Sequence, residues 1–238
     1  MKEIGVEQPD LENREVLMKD IRELWNKKED LCPELKKFLV EVGSGLMLKH
    51  PLVFDIFYHE QMNAILNERL RAKREYLEKA LKEKDWHIVL GLYERPYRID
   101  AVFEMSRFMT DEEYWDSVCW VWMDSENLWE VTDVLEELFW PSNHDLEKRH
   151  LLMNKEELVL LKDLSEVVTV YRGCGEKNRE GWSWSLDKEV AELFVRRSSQ
   201  KDSQVVTAVV GHADIVAFFN GRQEQEIVAP PDTVVIDE

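Results

Sequence analysis

Apolar positions recur at helical intervals through residues 1 to about 150, then give way to short β-branched and aromatic runs. From Asp10 to Lys27, Leu11, Val16, Ile21 and Leu24 stand among charged residues at mostly helical spacings, which predicts a first helix. Pro33 suits the first turn of a second helix running toward Val42, where Gly43 and Gly45 loosen it. Pro51 to about Glu83 reads as one long helical pattern. In its second half, Asn67 to Lys84, charges of alternating sign surround Leu70, Leu77 and Leu81, the mark of a solvated face with intrahelical ion pairs. Asp85 to Met109 continues as helix with a break at Pro96. Thr110 and Glu113 make a capping box for a helix carrying Trp115, Trp120 and Trp122. Asp124 or Ser125 can cap the next, which carries Trp129, Leu135, Leu138 and Trp140 before Pro141. These tryptophans are expected to pack helices together; a stacking wall facing a ligand or a second domain is the alternative.

Pro141 to His150 is polar and marks a boundary, followed by a short helix with Asn154 as its cap and Leu158, Leu160 and Leu161 as its apolar part. Strands are then expected at Val167 to Tyr171, Trp182 to Leu186, Val205 to Val210, Ile215 to Phe219 and Ile227-Val228, with Thr233 to Ile236 adding one more. Between them Lys188 to Arg197 reads as a helix burying Val190, Ala191, Phe194 and Val195. The expected fold class is α+β: an all-helical domain over residues 1–150, then a small mixed β-sheet domain over residues 151–238.

Composition changes this picture little. With 238 residues, 44% hydrophobic and 10% aromatic, the chain can bury one good core or two modest ones. No apolar run is long enough to span a bilayer, so no membrane partner is expected. The N-terminal residues lack the apolar stretch of a secretory signal. Cys32, Cys119 and Cys174 are an odd number without metal-ligand spacing, which fits reduced thiols in a cytoplasmic protein. The net charge of −18 repels nucleic-acid phosphates and attracts basic partners, although solubility alone is the simpler account of it. His59-Glu60 lacks the second histidine of a zinc motif, and no glycine-rich phosphate loop or nucleophile elbow occurs.

Three short polar motifs stand out: Tyr171-Arg172-Gly173, Ser183-Trp184-Ser185 and Glu224-Gln225-Glu226, each in or beside a strand-like run. Residues i and i+2 of a strand share a face, so Ser183 and Ser185 project together, as do Glu224 and Glu226 where the chain is extended. Converging carboxylates, hydroxyls and an arginine are costly to bury for stability alone. They suit cleavage of a glycosidic bond to a good leaving group. A carboxylate stabilises the oxocarbenium-like state, an arginine offers a fork to phosphate oxygens, and no metal is required. One of two neighbouring carboxylates also gains proton affinity and can serve as a base.

In this order and context, the motifs of residues 167–228 resemble the Arg-Ser-Glu class of mono-ADP-ribosyltransferases, which includes bacterial toxins and bacteriophage enzymes. Ser183 to Asp187 running into Glu189 to Phe194 is similar to that family's strand and following helix. The resemblance implies NAD as substrate. Arg172 would hold its phosphates and nicotinamide-side ribose, and the Gly173 backbone would meet the nicotinamide amide. Ser183 would position the catalytic carboxylate Glu226 on the ribose 2′-hydroxyl, with Ser185 beside it, and Glu224 would orient or deprotonate the acceptor. A glutamate at that position accompanies arginine acceptors in this family. The eleven positions from Arg172 to Ser183 leave room for a loop where toxin members carry a helix, and Gly173 to Gly181, with Lys177, Asn178 and Arg179, is the natural lid or phosphate-contacting segment.

The implied activity is transfer of ADP-ribose to a macromolecular acceptor, protein in preference to nucleic acid, by a phage effector or a conflict-system toxin that a partner neutralises. The helical domain would then recognise the target or restrain the site. The rival expectation is an inactive transferase scaffold that uses its acidic surface as a protein-binding module or inhibitor.

Overall fold

The computed structural model describes residues 22–125, 132–198 and 200–237. The chain divides into two compact units, Met1–Glu94 and Arg95–Glu238. Most of the expected first helix lies outside the described residues, as does Trp129 with the start of its helix.

The first unit is not all-helical. After a one-turn helix α1 (Pro33–Lys36), the chain forms a three-stranded antiparallel meander, β1 (Leu39–Val42), β2 (Gly45–His50) and β3 (Val53–Asp55). The helix beginning at Pro33 therefore does not reach Val42. Gly43 lies at φ +61, the left-handed region that a tight hairpin requires, so the glycines make a turn rather than loosen a helix. The long helix α2 begins at Asn63, not near Pro51, and runs to Glu83. Its solvated face carries the expected ion pairs, with Arg71 bonded to both Glu68 and Glu75. Leu66 and Leu70 of α2 close over Leu31, Leu35, Leu48, Leu52 and Val53 to make this unit's core. Buried His50 is satisfied locally. Its Nδ1 accepts from the Leu52 N–H at 3.1 Å, which leaves the proton on Nε2 to donate to Glu34 at 3.0 Å. Helix α3 (Trp86–Leu92) follows, capped by Asp85.

The second unit opens with helices α4 (Arg98–Met105), α5 (Asp111–Asp124), α6 (Thr132–Phe139) and α7 (Lys155–Lys162). The expected capping box of Thr110 with Glu113 forms on α5, and the expected cap Asn154 proves to make a second box with Glu157 on α7. The sheet contains β4 (Val167–Cys174), β5 (Ser183–Ser185), β6 (Gln204–Gly211), β7 (Ala217–Phe219), β8 (Glu226–Val228) and β9 (Val234–Ile236). Their order is β7-β8-β5-β4-β6-β9, and every pairing is antiparallel, so the sheet is not of mixed direction. Helix α8 (Lys188–Arg197) packs against β4, β5 and β6, and α7 packs against β7. Of the four α8 residues expected in the core, Ala191 is buried. Phe194 is 44% exposed, which corrects its assignment to the core.

The unit boundary falls at Glu94 instead of near residue 150, and aromatic packing gives the reason. Trp115 and Trp122 of α5 are fully buried, as their helix-packing role requires. Trp122 meets Phe139 edge-on at 5.3 Å, and Phe139 stacks on Trp182 at 5.4 Å, just ahead of β5. Trp122 also lies 6.5 Å from Phe219 of β7. Helices α5 and α6 thus share one core with the sheet. Trp140 differs: it is 40% exposed and carries the Arg149 guanidinium over its ring.

Truncating Phe139 to alanine is expected to cost about 3–5 kcal/mol, measured by urea unfolding, because the cavity would open at the joint between helices and sheet. A loss below about 1 kcal/mol would contradict a shared core.

Candidate active site

The three motifs occupy neighbouring strands. Arg172 is on β4, Ser183 and Ser185 on β5, and Glu226 on β8, and these strands are adjacent in the order β8-β5-β4. Register fixes their relation: Ser185 pairs with Glu226, Ser183 with Val228, and Tyr171 with Ser185. Ser183, Ser185 and Glu226 therefore share one face of the sheet. Diagonally across the β5–β8 pair, Ser183 Oγ donates to Glu226 Oε1 at 2.5 Å. The Ser185 hydroxyl plays a different part. It donates to the Glu224 carbonyl at 2.6 Å and accepts from the Asp187 N–H at 2.9 Å, tying the Glu224 backbone to the start of α8.

Glu226 is only 4% exposed. Burial pushes its carboxyl above the ordinary range, and nearby Glu224 adds to the rise. The Ser183 hydroxyl, the Arg222 guanidinium and the Trp122 indole pull it back down. The Trp122 Nε1–H has no hydrogen-bond partner of good geometry, yet it lies close enough to favour the charged carboxylate. Its helix, α5, thereby contributes to the site as well as to the core.

Glu224 and Glu226 are joined by a residue outside the three motifs. Arg222 Nε approaches Glu224 Oε2 at 3.1 Å, and its Nη2 approaches Glu226 Oε2 at 3.2 Å. The spacing Arg222, Glu224, Glu226 repeats every second residue, a signal already present in the sequence. The third donor, Nη1, reaches the Met123 carbonyl at 3.3 Å near the C-terminal end of α5. The segment 220–225 that carries these side chains is anchored at its start, where buried Glu157 accepts the Asn220 N–H at 2.8 Å. Gln223 and Gln225 on either side of Glu224 lie at φ 59 and 45, a left-handed conformation unfavourable for side chains of this kind.

Arg172 meets backbone carbonyls in this structure. It shares a sheet face with Trp184, whose ring centre lies 6.0 Å from the guanidinium, and so sits on the face opposite the Ser183 hydroxyl. Its Nε donates to the Asn178 carbonyl at 3.1 Å and its Nη1 to the Ser183 carbonyl at 2.5 Å. Burial lowers its pKa, with Glu226 acting in the opposite sense, and the group remains a cation. In this structure the fork clamps the 175–181 loop to the entry of β5. Gly181 leaves room for this contact: a Cβ there would lie 2.5 Å from Arg172 Nη2, so a side chain would have to displace the guanidinium tip. Gly173 has a packing role that the sequence did not disclose: a Cβ would stand 2.1 Å from the Ala191 carbonyl and 2.9 Å from Phe194 Cβ. Helix α8 can lie this close to β4 only over a glycine.

The structure thus brings Ser183, Glu224 and Glu226 together, places Arg172 beside them through backbone contacts, and adds Arg222 and Trp122. Neither was expected from the sequence: Arg222 carries a signal in its spacing, and Trp122, 104 positions before Glu226, carries none. Comparison with protein-family models, curated proteins and solved structures finds no match to this chain.

Gly173→Ala is expected to destabilise the protein by about 1–3 kcal/mol or more in denaturant unfolding, because the obstructing atom is helix backbone and cannot rotate away. An unchanged midpoint would show that α8 does not pack on β4 as described.

Proposed function

We propose that this chain is an NAD-dependent mono-ADP-ribosyltransferase that acts on a macromolecular acceptor, with a protein arginine as the favoured group. The observation that carries this reading is the 2.5 Å hydrogen bond from Ser183 to buried Glu226, with Glu224 held beside it. In this reading the antiparallel sheet with α8 is the catalytic scaffold, and the unit ending at Glu94 recognises the target or regulates the site.

Each side chain then has a chemical task. Glu226 sits where burial strengthens its electrostatic field, and Ser183 favours its charged form and fixes its orientation. A carboxylate so placed stabilises the positive charge that grows at the ribose anomeric carbon as the bond to nicotinamide lengthens. The bonding pair leaves with nicotinamide, whose ring becomes neutral. An acceptor nitrogen then bonds to the anomeric carbon and gives its proton to Glu224. Arg172 contributes positive charge near the substrate phosphates and holds the 175–181 loop. Its Nε and one Nη1 proton hold the Asn178 and Ser183 carbonyls, so the remaining Nη protons are the ones that would meet a phosphate.

A second reading, an inactive scaffold that binds a basic partner through its acidic surface, is favoured by one observation. The polar groups of the site are already bonded to one another, Arg172 to two carbonyls and the carboxylates to Arg222. Binding of NAD without turnover would support it.

Labelled NAD incubated with the purified protein and a cell lysate separates the two. Wild type is expected to transfer label, and Glu226→Ala to lose at least about a hundredfold in rate, with protease or nuclease treatment sorting the acceptor. Absence of both transfer and nicotinamide release from a folded wild-type protein would overturn the transferase reading.

A further inference from the structure

Arg222 stands apart from the other charged side chains of the site because its three nitrogens meet three different acceptors. Two are the carboxylates of Glu224 and Glu226, at 3.1 and 3.2 Å, and the third is the Met123 carbonyl at 3.3 Å. That carbonyl belongs to the last turn of α5, where unsatisfied C=O groups give a helix its negative end. Two carboxylates and a helix C-terminus around one forked cation form a seat shaped for a guanidinium. Its floor is built: the Glu226 side chain is 5% exposed and held from the other side by Ser183. Its mouth is open, since the Arg222 side chain is 37% exposed.

The occupant is held loosely. All three contacts are longer than the usual 2.7–2.9 Å of a charge-assisted hydrogen bond, and the pair with Glu224 is partly solvated. The segment that delivers Arg222 carries two non-glycine residues in the left-handed region, Gln223 and Gln225. A conformation of that kind persists while surrounding contacts hold it, and the Arg222 bridge spans Gln223 and Gln225 and is one of those contacts.

We propose that Arg222 is a built-in plug: its guanidinium fills the seat that an acceptor guanidinium must enter, and it leaves when the acceptor arrives. The proposal rests on the transferase reading, in which Glu224 orients the acceptor. Arg222 occupies Oε2 of both carboxylates and the Met123 carbonyl, and Ser183 occupies Glu226 Oε1, so an acceptor guanidinium that takes the same three seat atoms displaces Arg222 in a single exchange. The free enzyme is thereby kept closed toward cations that bind weakly. An acceptor presented by a docked protein brings additional contacts that displace the plug.

The test measures agmatine, a small guanidino compound, as ligand and as acceptor for the full chain in wild type, Arg222→Gln and Arg222→Lys. Calorimetry gives the affinity without any turnover, and nicotinamide release and agmatine labelling give the chemistry. Arg222→Gln is expected to bind agmatine at least about tenfold more tightly and to lower its KM by a similar factor. Arg222→Lys, which keeps the charge but loses the fork, is expected to fall between. Thermal melts verify folding, and Arg222→Lys alone decides the matter if the glutamine variant fails to fold. Agmatine affinity equal to or weaker than wild type in a folded variant, with nicotinamide release intact, would overturn the plug and leave the transferase standing. Absence of nicotinamide release in all three proteins would overturn both.

Discussion

A glutamate that is almost wholly buried must be given partners that replace water, and the second unit is organised around doing so for Glu226. The pairing of β8 with β5 sets Ser185 opposite Glu226 and brings the Ser183 hydroxyl to its Oε1. Arg222 supplies a cation on the other oxygen, and the Trp122 indole adds a dipole from the helical layer. These partners come from a strand, a loop and a helix that meet only in the folded unit. A single-residue slip of β8 against β5 would turn the carboxylate to the opposite face and leave the serines without it.

The same packing explains why the helices from Arg95 onward belong with the sheet. A tryptophan that serves both as core and as neighbour to the carboxylate cannot lie in a separate domain. Trp122 touches Phe139, which in turn stacks on Trp182 at the entry to β5. Close approach of α8 to β4 over Gly173 fixes that helix on the sheet. Arg172, held between the Asn178 and Ser183 carbonyls, joins the 175–181 loop to the same strand end. The polar groups of the site are bonded to one another, with Arg222 bridging Glu224 and Glu226 and Arg172 held by two carbonyls.

Much of this was legible in the sequence where the local signal and the tertiary outcome agree. The caps at Thr110 and Asn154, the helix Lys188–Arg197 and the strands of the sheet all follow from residue type and period. The meander of residues 39–55 was hidden because Leu39-Val40-Glu41-Val42 is too short for its period to separate strand from helix. Only the hairpin turn at Gly43 settles it. In the site, the two-residue spacing of the serines foretold their common face, and the diagonal bond to Glu226 needed the strand register. The face occupied by Arg172 also depended on register, so its clamp on backbone carbonyls could not be read from the motif. Phe194 fits the helical period of a buried position, but α8 rests on the sheet through Ala191 and leaves Phe194 at the surface.

The central claim is that Glu226 is a buried carboxylate kept ionisable by the Ser183 hydroxyl. Its direct test is the titration of the Glu226 side-chain carbonyl carbon by NMR in wild type and Ser183→Ala. Burial is expected to place the wild-type midpoint above the ordinary glutamate range. Removing the hydroxyl, which bonds to the charged form, is expected to raise it further. A midpoint in the ordinary range that does not move in Ser183→Ala would contradict the account, because it would mean that the carboxylate is solvated and the bond to Ser183 is not made.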